Sequence, residues 1–295
     1  MVTKQTAVIF GSNGQDGYYL NRLFDKLGIK TINVSRSNAD ICGTVSDYSL
    51  VQKLVNDVRP DYIFHFAAHS STKHEFLFEN HETISTGTIN ILESVKLFSP
   101  KTRIFISGSA MQFKNDGQPI DESAAFEAKS PYAIARIQSV FAARYYAYAF
   151  GLKTFVGYFF NHDSPLRSEH HVNQRIVRAV QRIASGSQEK LILGKIEIQK
   201  EFNYAGDLVN AIWELINQDI VTEAVIGSGK PYAIKDWVIQ CFSLKNLQWQ
   251  QHVELQDNYT SEYNILVSNP QIIKGIGWKA KTDFYDLAKM MMNAY

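Results

Sequence analysis

Cysteine is nearly absent from this sequence: Cys42 and Cys241 are the two in 295 residues, far apart and without a metal or redox spacing. Nothing there suggests a disulfide framework, and a reduced, cytoplasmic compartment is expected. Charge of one sign is lacking as well. Thirty Lys and Arg stand against 29 Asp and Glu, a formal net charge of +1, so composition gives no reason to expect nucleic acid or an anionic membrane as partner. No apolar run is long enough to span a bilayer, and no secretory or twin-arginine start is present, so a soluble, unexported protein is expected. Repeats, low-complexity tracts and linker-like stretches are missing too. His65, His69, His74 and His81 have no supporting Cys or carboxylate spacing, so no metal is expected. What is left is a chain that is 45% hydrophobic, enough for one large core or two moderate ones.

The stretch that organises the chain is Ala7-Val8-Ile9-Phe10-Gly11-Ser12-Asn13-Gly14-Gln15-Asp16-Gly17. It reads as a buried strand, three glycines spaced Gly-x-x-Gly-x-x-Gly, and a helix to about Leu27. Glycines at such a turn let backbone N–H groups approach a pyrophosphate, and the helix adds its positive end. Gly11, Asn13, Gly14, Gln15, Asp16 and Gly17 are therefore candidate dinucleotide-binding residues. In NAD sites an acid near the end of the second strand holds the adenosine ribose, whereas a basic residue suits the extra phosphate of NADP. Here Thr31-Ile32-Asn33-Val34-Ser35 is followed by Arg36, and the first acid is Asp40. That favours NADP(H) over NAD(H), with a solvated Arg36 as the alternative.

Alternation of strand and helix continues. Residues 47–58 have helical apolar spacing, Tyr62-Ile63-Phe64-His65-Phe66 is a buried strand, and Ala67-Ala68 at its carboxyl end allows close approach of a ligand. A helix over 82–98, a strand from Arg103 ending at Gly108-Ser109-Ala110, and a turn at Asn115-Asp116-Gly117 follow. Ser130-Pro131 is a capping serine with proline at the first helical position. After a fifth strand over 153–158 the pattern loosens: a loop over 161–171, a basic helix over 172–185, short strands near Leu191 and over 197–202, and an amphipathic helix over 207–218. Glu223-Ala224-Val225-Ile226 returns a strand to the main sheet. The expected fold is α/β, a doubly wound parallel Rossmann sheet from residues 1–160 plus about 202–226. A smaller mixed substrate lobe, from 161–201 plus about 227–295, covers the cofactor cleft.

A tyrosine acts as acid or base at a carbinol when a neighbouring cation lowers its pKa from about 10. Tyr132 and Arg136, four apart on the helix after Pro131, share one face, and Ser109 ends the preceding strand. The three are candidate catalytic residues for hydride transfer at an alcohol carbon. The order of glycine-rich turn, strand-end serine and Tyr-x-x-x-basic resembles the extended short-chain dehydrogenase/reductase superfamily. Within it, the chain is most similar to GDP-mannose 4,6-dehydratases and their GDP-sugar reductase relatives. The resemblance, carried to about residue 245, lies in Gly14-Gln15-Asp16-Gly17, Ala67-Ala68-His69-Ser70, Ser130-Pro131-Tyr132-Ala133, Asn161-His162-Asp163-Ser164-Pro165-Leu166-Arg167 and Leu193-Gly194. It implies that Asn161 touches the diphosphate of a nucleotide sugar, that Ser70 belongs to the substrate site, and that Arg175, Arg178 and Lys200 grip GDP. A solvated helix face is the alternative for the two arginines.

Departures matter as much. The family's strand-end signature is Ser-Thr-Ser-Glu-Leu-Tyr-Gly, whose Glu removes the C5 proton during water elimination. This chain reads Gly108-Ser109-Ala110-Met111-Gln112-Phe113-Lys114. Ser109 replaces the Thr, but Met111 stands at the Glu, and neither a thioether nor the amide of Gln112 is a base. Arg136 replaces the family lysine, keeping the charge and ribose contact but not readily releasing a proton. Thr44-Val45 stands where Asp-Leu usually meets the adenine. The resemblance thus implies an NAD(P)-dependent enzyme on a GDP-linked hexose, transferring hydride at C4 without dehydration, as ketoreductase, dehydrogenase or epimerase. A dehydratase with a relocated base and a silent nicotinamide-binding regulator remain the alternatives. A homodimer or homotetramer is implied by resemblance alone.

Overall fold

The computed structural model describes residues 4–256 and 260–294. Its centre is a seven-stranded parallel sheet in the order β11-β6-β5-β4-β1-β2-β3. These strands are β1 (Thr6–Phe10), β2 (Lys30–Ser35), β3 (Ile41–Cys42), β4 (Tyr62–His65), β5 (Arg103–Ser109), β6 (Lys153–Phe159) and β11 (Glu223–Ile226). The winding reverses between β1 and β4: the chain first moves outward from β1 to β2 and β3, then returns to add β4 on the other side. Such a switch point opens a crevice at the carboxyl ends of the strands.

Period-two alternation divides the buried side chains between the two faces. Val8, Phe10, Ile63, Ile104 and Ile106 face α2 (Tyr48–Val58), α4 (Gly87–Phe98) and α5 (Pro131–Phe150). Ala7, Ile9, Phe64, Phe105 and Phe155 face α1 (Gln15–Leu27) and α7 (Ala205–Ile216). Helix ends follow local chemistry. Asp47 caps α2 by accepting from Leu50 N at 3.1 Å, and Gly28 and Gly151 end α1 and α5 in the left-handed region.

The remaining elements form the smaller packing unit and its links. They are β7 (His162–Asp163), α6 (Val172–Ala184), β8 (Leu191–Leu193), β9 (Gln199–Glu201), β10 (Asn203–Tyr204), β12 (Pro231–Ala233), α8 (Ile234–Ser243), β13 (Val253–Leu255), β14 (Ile265–Leu266), α9 (Gln271–Gly275) and α10 (Phe284–Met292). Helices α6, α8 and α10 enclose a second core in which Trp237 is fully buried and Phe202 stacks on it at 5.0 Å. Strand β9 pairs antiparallel with β12 and parallel with β14.

Two expectations need adjusting. The helix expected over 82–98 begins earlier, as α3 (Leu77–Asn80), and widens into a π-turn at His81–Thr86 before α4. Buried Asn80 anchors that start by donating to Ser71 O at 2.9 Å. The C-terminal segment does not pack wholly with the lobe: Ile273 and Trp278 lie in the sheet's α7-side core. Trp278 Nε1 donates to Asp207 O at 3.0 Å, and the N–H groups of Lys281 and Thr282 donate to Asp207 Oδ2 at 2.9 and 2.7 Å.

Candidate active site

The glycine turn between β1 and α1 lies at the switch point. Gly11 has φ +85, and a Cβ on it would sit 2.5 Å from Ala67 N; Ala67 N–H in turn donates to Phe10 O at 3.0 Å. The two diverging strand exits therefore touch only because Gly11 has no side chain. Gly17 serves helix-on-strand packing, since its Cβ would come within 2.6 Å of Ser12 Cα. Gly14 differs: a Cβ there would meet only Gly11 O, at 3.3 Å. As the residue that precedes α1, it offers no side-chain cap to the helix's first turn, and Ser12 Oγ is buried without a partner. An uncapped helix end, an orphan hydroxyl and open space at Gly14 fit the pyrophosphate of a dinucleotide.

At the end of β2, Asn13 Nδ2 donates to Ser37 O at 2.5 Å and Arg36 is exposed. Asp40 is turned back onto the strand, where its Oδ2 accepts from Asn33 N at 2.8 Å. Ala67 and Ala68 line the exit of β4 half-buried, and Ser70 is exposed beyond them. Thr44 is exposed, while Val45 is buried in the core beside Gly87.

Across the crevice, Ser130 Oγ accepts from Ala133 N at 3.1 Å, which fixes the start of α5 and sets half-buried Tyr132 in its first turn. One turn on, Arg136 is 4% exposed. Its Cζ lies 5.1 Å from the Tyr132 ring centroid, and its Nη1 donates to Ser107 Oγ at 2.7 Å and to the Ser107 carbonyl. The ribose contact expected of this guanidinium must therefore come from elsewhere on it than Nη1; Nε is buried without a partner. His65, next to Ser107 on the neighbouring strand, is held neutral: burial, then the charge of Arg136, pushes it down to about 3. Ser109 is nearly buried; its Oγ accepts from Met111 N at 3.2 Å and its N–H donates to Gln112 Oε1 at 2.9 Å. Gln112 is thus drawn inward and fully buried, and Met111 packs against the core. The acid tied to this turn is Glu127, whose N–H donates to Gln112 O at 2.8 Å and whose carboxyl meets Lys129 Nζ at 2.8 Å.

The Asn-His-Asp-Ser run enters from the other side as β7 and its flanks. Asn161 Oδ1 is buried without a partner, while Asn161 O accepts from Asn203 Nδ2 at 2.9 Å. His162 Nδ1 faces Phe160 O at 2.9 Å and its Nε2 faces Asp16 at 3.1 Å. Burial opposes charge on both partners, yet the ion pair prevails: His162 holds Asp16 below the usual carboxylate range, and Asp16 holds His162 above the usual imidazole range. Ser164 Oγ donates to Gln15 Oε1 at 2.9 Å, and Gln15 Nε2 reaches His162 O at 3.3 Å. The side chains of Gln15 and Asp16 are therefore engaged by this loop, so of the two residues expected to bind the cofactor only the backbone is open to it.

Buried Asp163 accepts from Asn173 Nδ2 at 2.6 Å and lies 3.7 Å from Arg167 Nε. Lys200 is buried too, pushed down to about 8 by burial, with Asp163 pulling it up and Arg167 pushing it down. Asn173 Oδ1 and Gln174 Oε1 are further buried acceptors without partners. Arg175 is exposed on α6, Arg178 half-buried. Of the expected substrate-binding residues, Lys200 and the Oδ1 of Asn161 are thus buried, whereas Ser70 and Arg175 are exposed. The links from Gln15 and Asp16 to the 162–164 loop, and those of Asp163 to Asn173 and Arg167, escaped the sequence reading. Only the density of polar residues in Asn-His-Asp-Ser hinted at them.

Residues 8–291 match the family model for GDP-mannose 4,6 dehydratase. GDP-mannose 4,6 dehydratase 1 of Arabidopsis thaliana is 27% identical over 322 aligned positions, covering 98% of this chain and 89% of the relative. Among solved structures, RMD from Pseudomonas aeruginosa complexed with NADPH superposes with a TM-score of 0.87 at 16% identity, covering 98% of both chains. The dTDP-glucose 4,6-dehydratase of Bacillus anthracis in complex with NAD gives 0.86 at 16% identity, covering 98% of this chain and 95% of its own. The fold is thus the one shared by nucleotide-sugar dehydratases and epimerases. No helix among the described residues is long and apolar enough to cross a membrane.

Proposed function

The chain belongs to the GDP-mannose 4,6-dehydratase family, and we propose that it is a nicotinamide-dependent oxidoreductase or epimerase acting at C4 of a nucleotide-linked hexose, without the dehydration. One observation carries the reading: Tyr132 stands over a buried cation beside the strand that ends in Ser109, and the turn after Ser109 presents Met111, at the position to which the resemblance assigns the family's base. When bound, the nicotinamide supplies or accepts the hydride. The protein does the rest. Tyr132 exchanges the hydroxyl proton of the hexose, Ser109 hydrogen-bonds the same oxygen, and Arg136 keeps a positive charge against the ring of Tyr132. The backbone of Gly11, Gly14, Gln15 and Asp16 holds the pyrophosphate, with Asn13, Ala67 and Ala68 beside it. Asn161 and Lys200 face the substrate diphosphate, and Ser70 and Arg175 bind from the rim.

NADP(H) is the favoured nicotinamide. Exposed Arg36 suits a 2′-phosphate, while Asp40 is withdrawn onto Asn33. The Arabidopsis relative is a GDP-mannose 4,6 dehydratase, and the charged lining around Lys200 suits a nucleoside diphosphate, so GDP-linked sugars are the favoured substrates. A homodimer or homotetramer and a cytoplasmic location complete the reading. A second reading keeps dehydration: Glu127, bonded to the Gln112 carbonyl, would be the relocated base.

A thermal-stabilisation panel of NADPH, NADH, GDP, UDP and dTDP tests the binding half of this reading. At about 100 times Kd a ligand adds about 2.7 kcal/mol, so the cognate pair is separated by several degrees from the others. NADPH and GDP are expected to give the largest shifts. Equal shifts from all five, or none, would contradict the reading.

A further inference from the structure

Helix α1 and the loop that carries Asn161 are joined by more polar contacts than a packing role requires. Asp16 holds His162 Nε2 through both oxygens, at 3.1 and 3.3 Å. Gln15 holds the same loop twice, accepting from Ser164 Oγ at 2.9 Å and donating to His162 O at 3.3 Å. The two residues sit in the first turn of α1, directly after Gly14, at the uncapped helix end proposed above to hold the cofactor pyrophosphate. Between the two anchored residues and Phe160 lies Asn161, its Oδ1 buried and without a partner.

We infer that Gln15 and Asp16 are positioning residues that couple cofactor binding to nucleotide-sugar binding. The inference rests on the nucleotide-sugar reading given above. Physically, the backbone amides of the turn and the side chains of the same two residues serve different ligands. A pyrophosphate bound at the turn fixes the first turn of α1. That fixes Gln15 and Asp16, which hold His162 and Ser164, which hold Asn161 in place for the second diphosphate. The ordering cost of this shared segment falls on the first ligand to bind, and the second binds a preorganised site.

A binding cycle tests the coupling. The Kd of NADPH is measured with and without saturating GDP, and that of GDP with and without saturating NADPH. In the wild type each ligand is expected to tighten the other by the same factor, on the order of 5- to 150-fold, as linkage demands. In Asp16→Asn the factor is expected to fall toward one, even where each separate affinity also weakens. A residue with only a structural role would weaken both ligands and leave the factor unchanged. Ser164→Ala, which removes one hydroxyl, is expected to lower the factor less, and carries the test if Asp16→Asn does not fold. Two ligands that each bind but ignore one another in the wild type would overturn the coupling, as would a variant that keeps the wild-type factor. A wild type that binds neither ligand would overturn the functional reading, and the coupling with it.

Discussion

Tyr132→Phe is expected to lower turnover of the nucleotide sugar by about 10²- to 10⁴-fold while leaving NADPH affinity within a few-fold of wild type. The substitution removes one oxygen from a half-buried residue in the first turn of α5, whose capping contact from Ala133 N to Ser130 Oγ does not involve the phenol. The ring remains, and with it the contact to the Arg136 guanidinium. What disappears is the acid or base at the reacting oxygen. Ser109, proposed to hydrogen-bond the same oxygen, has a hydroxyl that does not ionise near neutral pH, so it does not substitute. Steady-state kinetics with the wild type and the variant at equal cofactor saturation make the comparison. An unchanged rate would remove Tyr132 from the chemistry, and a wild type that binds the nicotinamide but turns nothing over would favour a silent nicotinamide-binding regulator.

Glu201→Ala is the substitution expected to cost the most stability. Glu201 is fully buried at the end of β9, and its carboxyl oxygens accept five hydrogen bonds. Oε1 takes Ser268 N and Oγ, both at 2.6 Å. Oε2 takes Ser228 N at 2.6 Å, Ser228 Oγ at 3.2 Å and Asn203 Nδ2 at 2.9 Å. One side chain thereby fastens β9, β10 and the two segments that follow β11 and β14. The serine hydroxyls are free to turn to other partners, Ser228 N–H also reaches Asn203 Oδ1 at 3.0 Å, and Asn203 Nδ2 also donates to Asn161 O at 2.9 Å, so Ser268 N–H is the donor left without a partner. An unsatisfied buried N–H costs about 1–3 kcal/mol and the loss of the other bonds adds about 1 kcal/mol, so the loss is on the order of 2–4 kcal/mol and about 5–10 °C in Tm. Thermal unfolding followed by far-UV circular dichroism reads the shift. A change below about 2 °C would show that the five bonds are easily replaced. Lys200 precedes Glu201 on β9, so substrate affinity is expected to fall along with stability.

The parts of this fold set by local chemistry were legible from the residues. The glycine turn, the Ser130-Pro131 start of α5 and the return of Glu223–Ile226 beside β6 all stand where the spacing puts them. The parts set by distant pairs were not. Ile41–Cys42 is a two-residue strand recognisable only by its pairing with Val34 and Ser35. The π-turn at His81–Thr86 rests on a change in backbone hydrogen bonding from i→i+4 to i→i+5, which no residue type in His81-Glu82-Thr83-Ile84-Ser85-Thr86 signals. Asp207 looks like an ordinary first-turn acid on α7, yet it binds the backbone of Lys281 and Thr282, 74 and 75 residues away. At the site, sequence order singled out Tyr132, Ser109 and Arg136 as candidates, but did not show that Arg136 would turn its Nη1 to Ser107. Nor did it show that Gln15 and Asp16 would reach across to His162 and Ser164, since no local pattern encodes a contact about 146 residues long.

The absence of a carboxylate at Met111 is what separates this account from the ordinary activity of the family. Turnover of GDP-mannose with the favoured nicotinamide in heavy water, followed by mass spectrometry and proton NMR of the sugar, tests it most directly. Removal of the C5 proton is the step that needs the missing base, and solvent deuterium records it. The account predicts a product that differs from GDP-mannose only by oxidation or inversion at C4, with no deuterium at C5 and no loss of water. Deuterium at C5 together with a dehydrated 4-keto-6-deoxy product would contradict it, and would direct attention to Glu127 as the base.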